Sequence, residues 1–138
     1  MTTDFEILEH TADAKFRAQG ESLEEAFKAS VKAFSEIVGG DAGMYTHEIK
    51  IESENLDALL FDFLDELIFL QDTRGVVVSY APEMKVEELG EGWRLQAEIK
   101  VDNITSETGF TDVKAPTYSE MDVGFEDGEW YAQAVLDI

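Results

Sequence analysis

The sequence predicts an α+β fold: two amphipathic helices packed on a mixed, largely antiparallel β-sheet, in one domain covering residues 1–138. Three observations predict it. Two stretches in the first half repeat their apolar residues at helical spacing, the second half is a run of alternating or continuous apolar segments, and turn chemistry separates them. A chain of 138 residues suits a single domain. It buries roughly 68–70% of its unfolded surface on folding, enough for a core without disulfides or structural metals.

Taken in order, residues 4–8 and 14–19 read as a strand pair around the connection Glu9-His10-Thr11-Ala12-Asp13. Gly20 breaks the chain, and Ser22 with Glu25 makes a capping box for a helix. Leu23, Ala26, Phe27, Val31, Phe34, Ile37 and Val38 share one face of that helix, with Glu24, Lys28, Lys32 and Glu36 on the other. Gly39-Gly40 ends it. The segment HEIKIES alternates as a half-buried strand does, with His47, Ile49 and Ile51 on one side. Asn55 is a good cap for a second helix running to about Asp72. Its apolar set (Leu56, Leu59, Leu60, Phe63, Leu64, Leu67, Leu70) is widened by Phe61, Ile68 and Phe69 toward the side of Asp62 and Asp65. A helix apolar over that much of its circumference is either covered twice within the fold or meets a partner. After Gly75 come the strand segments VVVSY, MKVEEL beyond Pro82, and WRLQAEIKV, which alternates cleanly. Residues 102–112 have loop chemistry. VKAPTY, MDVGF, a hairpin signal at Asp127-Gly128 and the strand WYAQAVLDI complete the chain.

Charge is the dominant global feature, with 31 acidic residues against 10 basic and a net charge of −21. Such a surface repels phosphate backbones and anionic membranes, which argues against tight, direct nucleic-acid binding. Solubility, or a salt-rich setting, accounts for most of it. With no cysteine, disulfides, thiolate metal sites and thiol catalysis are excluded, and a cytoplasmic location fits. No segment has membrane-spanning length or the pattern of a secretion signal, so Asn103-Ile104-Thr105 reads as a chance sequon.

Catalytic motifs are absent. The sequence has two histidines, His10 and His47, and no G-x-S-x-G, phosphate-binding loop or G-x-G-x-x-G. Asp62, Asp65 and Glu66 have spacing that could hold a metal in a bundle, but with two helices and no E-x-x-H they read as a solvated face. Two other places stand out. In the first connection, Asp13 and His10 can serve simply as turn residues through local backbone hydrogen bonds. At the other end, WYAQAVLDI sets Tyr131, Gln133, Val135 and Asp137 on one face and Trp130, Ala132, Ala134, Leu136 and Ile138 on the other. A strand held to its last residue would fix the Asp137 side chain close to the carboxylate of Ile138. Like charges so near each other call for a cation. Adding Asp13 would make an all-oxygen site for Ca²⁺ or Mg²⁺, completed by waters. Periodicity alone does not bring the two ends together.

EHTAD at residues 9–13, GESLEEAF at 20–27, LLFDFLDELIF at 59–69, VKAPTYSEM at 113–121 and AQAVLDI at 132–138 jointly resemble the archease family. These are small accessory proteins of the GTP-dependent RNA-splicing ligase. The resemblance covers essentially the whole chain and implies a non-enzyme, a chaperone-like activator with the ligase as its protein partner. Archeases promote the ligase's guanylylation and its multiple turnover in tRNA splicing. The family's divalent-metal site, transferred residue by residue, implies Asp13, Asp137 and Ile138 as ligands for Ca²⁺ or Mg²⁺. Lys114 matches a lysine tied to activation, and His10 belongs to the same HTAD motif. Two departures fall in one segment: Pro116 replaces a branched apolar residue and removes a ladder hydrogen bond, and Ser119 stands where archaeal members commonly have His. Two rival readings are a stand-alone metal-dependent phosphohydrolase using Asp13 and Asp137, and a generic adaptor docking through the second helix. The first lacks a general base, a cationic clamp and a second metal set.

Overall fold

The computed structural model describes residues 4–9, 13–40 and 42–138, the side chains of Asp4 and Glu9 excepted. Its elements are β1 (Asp4–Glu9), β2 (Asp13–Gly20), α1 (Leu23–Val38), β3 (Tyr45–Ser53), α2 (Leu56–Arg74), β4 (Val76–Glu88), β5 (Trp93–Asn103), β6 (Ala115–Glu126) and β7 (Glu129–Asp137). The expected α+β class is the one observed. The strands divide between two sheets, ordered β1-β2-β7-β6 and β3-β5-β4, and all pairings among the described residues are antiparallel.

Both helices begin and end on the signals read from the sequence. The Ser22 hydroxyl accepts from the Glu25 N–H at 3.1 Å, and the Asn55 side chain accepts from the Ala58 N–H at 2.8 Å. The Glu25 carboxylate bonds the N–H of Glu21, one residue before the cap. Gly39 and Gly75 close the helices at φ of 94° and 66°, in the left-handed region that glycine occupies without steric cost.

Each helix contacts both sheets. α1 touches β1, β2 and β7 of the first sheet and β4 of the second, while α2 touches β6 of the first and β3, β4 and β5 of the second. Double coverage explains the broad apolar circumference of α2, where Leu59, Leu60, Phe63, Leu64, Leu67 and Ile68 are all buried. Phe27 of α1 meets Phe63 of α2 with ring centroids 6.3 Å apart. The inward faces of β2 and β7 close the same core through Phe16, Ala18, Ala132, Ala134 and Leu136.

Side chains from the helices also satisfy the outer strands. Gln71 accepts from the N–H of Val78, Glu24 from that of Val86, and Asp57 from that of Val123. Pro116 sits on β6, an outer strand of its sheet, where a missing N–H is tolerated. No helix among the described residues is long and apolar enough to cross a membrane.

Candidate functional site

Asp13 opens β2 and Asp137 closes β7, and the antiparallel register sets them directly opposite each other. Residues so paired have Cβ atoms about 4.5–5.5 Å apart, and like charges there are mutually destabilising. On its other side Asp137 faces Ala115 of β6, and its carbonyl accepts from the N–H of Lys114 at 2.8 Å. The last strand is therefore held from both sides to its end. Ile138 follows it, 41% exposed.

The segment joining β5 to β6 fixes what surrounds this pair. Its Ile104 N–H donates to the carbonyl of Gly75 and its Thr111 N–H to that of Val38. Lys114 then reaches Asp137, so three chain steps, from Thr111 to Lys114, separate an anchor on α1 from an anchor on β7. That span is at most about 11 Å of chain. The close of α1 is therefore tied through this segment to the end of β7, and the close of α2 is tied to the same segment. Helix C-termini carry partial negative charge and favour cations nearby. α1 has no basic residue in its last turn to offset this, whereas α2 has Arg74. Gly39 permits the close approach, since a Cβ there would lie 2.5 Å from the Gly109 carbonyl oxygen. The loop read as 102–112 is thus a brace across both helix ends.

Beside the brace is a cleft of about 530 Å³, lined in part by Gly40, Met44, Tyr45, Asp102 and Thr108. Asp102 serves the framework there, accepting from the N–H groups of Gly43 and Met44 and from the Ser79 hydroxyl. A second hollow, about 590 Å³, lies on the β3-β5-β4 sheet among Glu48, Lys50, Glu83, Lys85, Gln96 and Glu98.

Of the residues singled out in the sequence, Asp13 and Asp137 come together and Ile138 adjoins them. Lys114 joins through its backbone, with its side chain exposed. His10 lies outside the described residues. Asp62, Asp65 and Glu66 stay on the surface of α2, where Asp62 accepts from the Ser53 hydroxyl. Among the described residues no group of three or more His, Cys, Asp or Glu is arranged to hold a metal. The set at the chain end is two such side chains plus an oxygen of Ile138. These are oxygen donors only, the donor type that Ca²⁺ and Mg²⁺ select. The donor chemistry therefore fits a hard divalent ion. Sequence reasoning missed Lys15, two residues from Asp13 on the same sheet face, and Glu120, which Lys15 bonds at 2.7 Å.

Residues 5–138 match the model of the archease protein family. Among similar proteins, the protein archease of Pyrococcus abyssi is 37% identical over 97% of this chain and 98% of its own. That of Pyrobaculum neutrophilum is 34% identical over 98% and 95%. The solution structure of Methanobacterium thermoautotrophicum protein 1598 superposes with a TM-score of 0.82 at 31% identity, covering 97% of this chain and 98% of that one. A Thermotoga maritima crystal structure, described as an archease and possible chaperone, gives 0.63 at 21% identity over 95% and 94%, a likeness of fold. A family match over nearly the whole chain, relatives above 30% identity along their full length and the same fold agree: this chain belongs to the archease family.

Proposed function

We propose that this protein is a non-enzymatic activator of the GTP-dependent RNA-splicing ligase, acting through a divalent ion held by Asp13, Asp137 and Ile138. The observation that carries the reading is the register of Asp13 opposite Asp137. Two like charges at facing positions in a sheet are a cost unless a cation shares them. Membership of the archease family supports an accessory role, and the ligase as partner is what the resemblance of the sequence implies.

When bound, Ca²⁺ or Mg²⁺ would supply positive charge to phosphate oxygens at a partner's nucleotide site. In phosphoryl-type chemistry positioning and metal charge provide most of the catalysis. The chain's own residues define and hold that site. β7 is anchored on both sides, the 104–114 brace fixes the helix ends, and the net charge of −21 keeps bare nucleic acid at a distance. Docking on a protein partner then brings the site to the RNA chemistry without direct RNA affinity. The cell compartment consistent with this role is the cytoplasm.

Guanylylation of the cognate ligase by GTP, with and without this protein, tests the proposal. The expected outcome is faster guanylylation and repeated ligation, lost in Asp13→Ala and Asp137→Ala. Equal rates with and without the protein would refute it. Turnover of phosphate esters by the protein alone would instead establish the hydrolase reading.

A further inference from the structure

On the outward face of the first sheet Lys15 faces Val135 and Arg17 faces Gln133 across β2 and β7. From the other side Thr117 faces Val135 and Asp122 faces Gln133. β6 therefore takes five steps where β7 takes two, and Tyr118, Ser119, Glu120 and Met121 leave the ladder. Glu120 adopts φ of 60°, a conformation that residues other than glycine rarely take. Two outward side chains hold it there: Gln133 Nε2 donates to its carbonyl at 2.9 Å and Lys15 Nζ to its carboxylate at 2.7 Å. The excursion therefore folds back over the sheet. Val135 belongs to the outward set yet is only 2% exposed, and the Lys15 side chain is 17% exposed.

Lys15 is two residues from Asp13 on the same strand face, and the register makes it the diagonal neighbour of Asp137. Diagonal neighbours lie about 7–8 Å apart at Cα, within reach of a long side chain. The Lys15 ammonium thus has two anionic destinations within reach, the Asp13–Asp137 pair and Glu120. We propose that Lys15 is a built-in competitor for the cation site and that Glu120 is its holder. By retaining the ammonium, Glu120 leaves the carboxylate pair to a divalent ion, and the firmness of that hold sets the ion affinity. Lys15 and Glu120 are positioning residues and touch no ligand themselves. The inference rests on the divalent-ion reading of Asp13 and Asp137.

Calorimetric titration with Ca²⁺ of the full chain and three variants tests it. Lys15→Met keeps the stem over Val135 and removes the charge, so Ca²⁺ should bind roughly two- to fivefold more tightly, the scale of one partly exposed charge interaction. Glu120→Gln releases Lys15 toward the pair, so binding should weaken by a similar factor. Simple through-space charge effects would give the same two signs, and the double variant separates them. If Glu120 acts through Lys15, Lys15→Met with Glu120→Gln binds like Lys15→Met alone. Additive effects in the double variant would overturn the proposal.

A second measurement needs no ion. In chelator, a thermal double-mutant cycle between Lys15→Met and Asp137→Asn should show little coupling in the native background and clear coupling in the Glu120→Gln background. Equal coupling in both backgrounds would show that Glu120 does not hold the ammonium back. Absence of any Ca²⁺ signal that Asp13→Ala removes would count against the divalent-ion reading, while this cycle still decides where Lys15 goes.

Discussion

The backbone N–H of Lys114 donates to the carbonyl of Asp137 at 2.8 Å, tying the segment that crosses both helix ends to the end of the central strand. Lys114 thereby meets the site through its main chain, and its exposed side chain remains available to a partner. Lys114→Ala is expected to leave melting temperature and Ca²⁺ affinity unchanged while lowering ligase activation. A fall in ion affinity of tenfold would place the side chain in the ion site instead.

Asp13→Ala and Asp137→Ala should each abolish saturable Ca²⁺ or Mg²⁺ binding in calorimetry. Undiminished binding in either variant would assign the ions to the diffuse acidic surface created by 31 carboxylates.

Extending the chain past Ile138 replaces a charged carboxylate with an amide and crowds the ion. Stability should survive, because the inward face of β7 (Ala132, Ala134, Leu136) is fully buried and unchanged. Ligase activation should fall as in Asp137→Ala, while an extension before Met1 should be harmless. Equal activation by the two tagged forms, at equal melting temperature, would show that the terminal group takes no part.

Gln71 is 3% exposed, and its side-chain oxygen accepts from the Val78 N–H at 3.0 Å. Gln71→Leu keeps the bulk of the side chain but orphans a buried donor at the start of β4. Denaturant unfolding should show a loss of about 1–3 kcal/mol, the cost of an unsatisfied buried polar group. A neutral result would mean that water reaches Val78.

Tyr131 donates to the Asp122 carboxylate at 2.8 Å, which together with burial raises its phenol above the ordinary value. A raised folded-state value means that the stabilisation is complete below the unfolded tyrosine value, near 10. It is lost as the pH climbs through the folded value. Spectroscopic titration should show Asp122→Asn lowering the Tyr131 transition, and an unmoved transition would reject the hydrogen bond as its main cause.

Local signals were legible in the sequence because their causes are local. Ser22, Gly39, Asn55 and Gly75 act within a turn of themselves, and all four bound the helices as read. VVVSY and MKVEEL read as separate strands because Pro82 interrupts them, yet they form one strand, β4, with one register shift between Val78 and Tyr80 and a second, between Tyr80 and Glu83, spanning that proline. The division into two sheets was invisible to periodicity, since alternation reports which face is buried and not which neighbour covers it. Tyr118–Met121 leaves the ladder without a glycine or proline to announce it, and the burial of outward-facing Val135 follows from that excursion. The approach of Asp13 to Asp137 is a pairing of opposite ends of the sequence. The family resemblance implied it, and no spacing rule could.

The place of β7 between β2 and β6 has a consequence for how the molecule comes into being. Made at roughly 5–20 residues per second from the N-terminal side, the chain offers β1 and β2 early, with Phe16 and Ala18 facing partners, Ala134 and Ala132, that are synthesised last. The second sheet draws only on β3, β4 and β5, so all its strands precede the last two. The first sheet must wait, its inner face covered by little besides α1. Such long-range closure is the slow kind of step in folding. The facing carboxylates come together in that same closure, so the pair exists only in a chain whose β2 and β7 have joined.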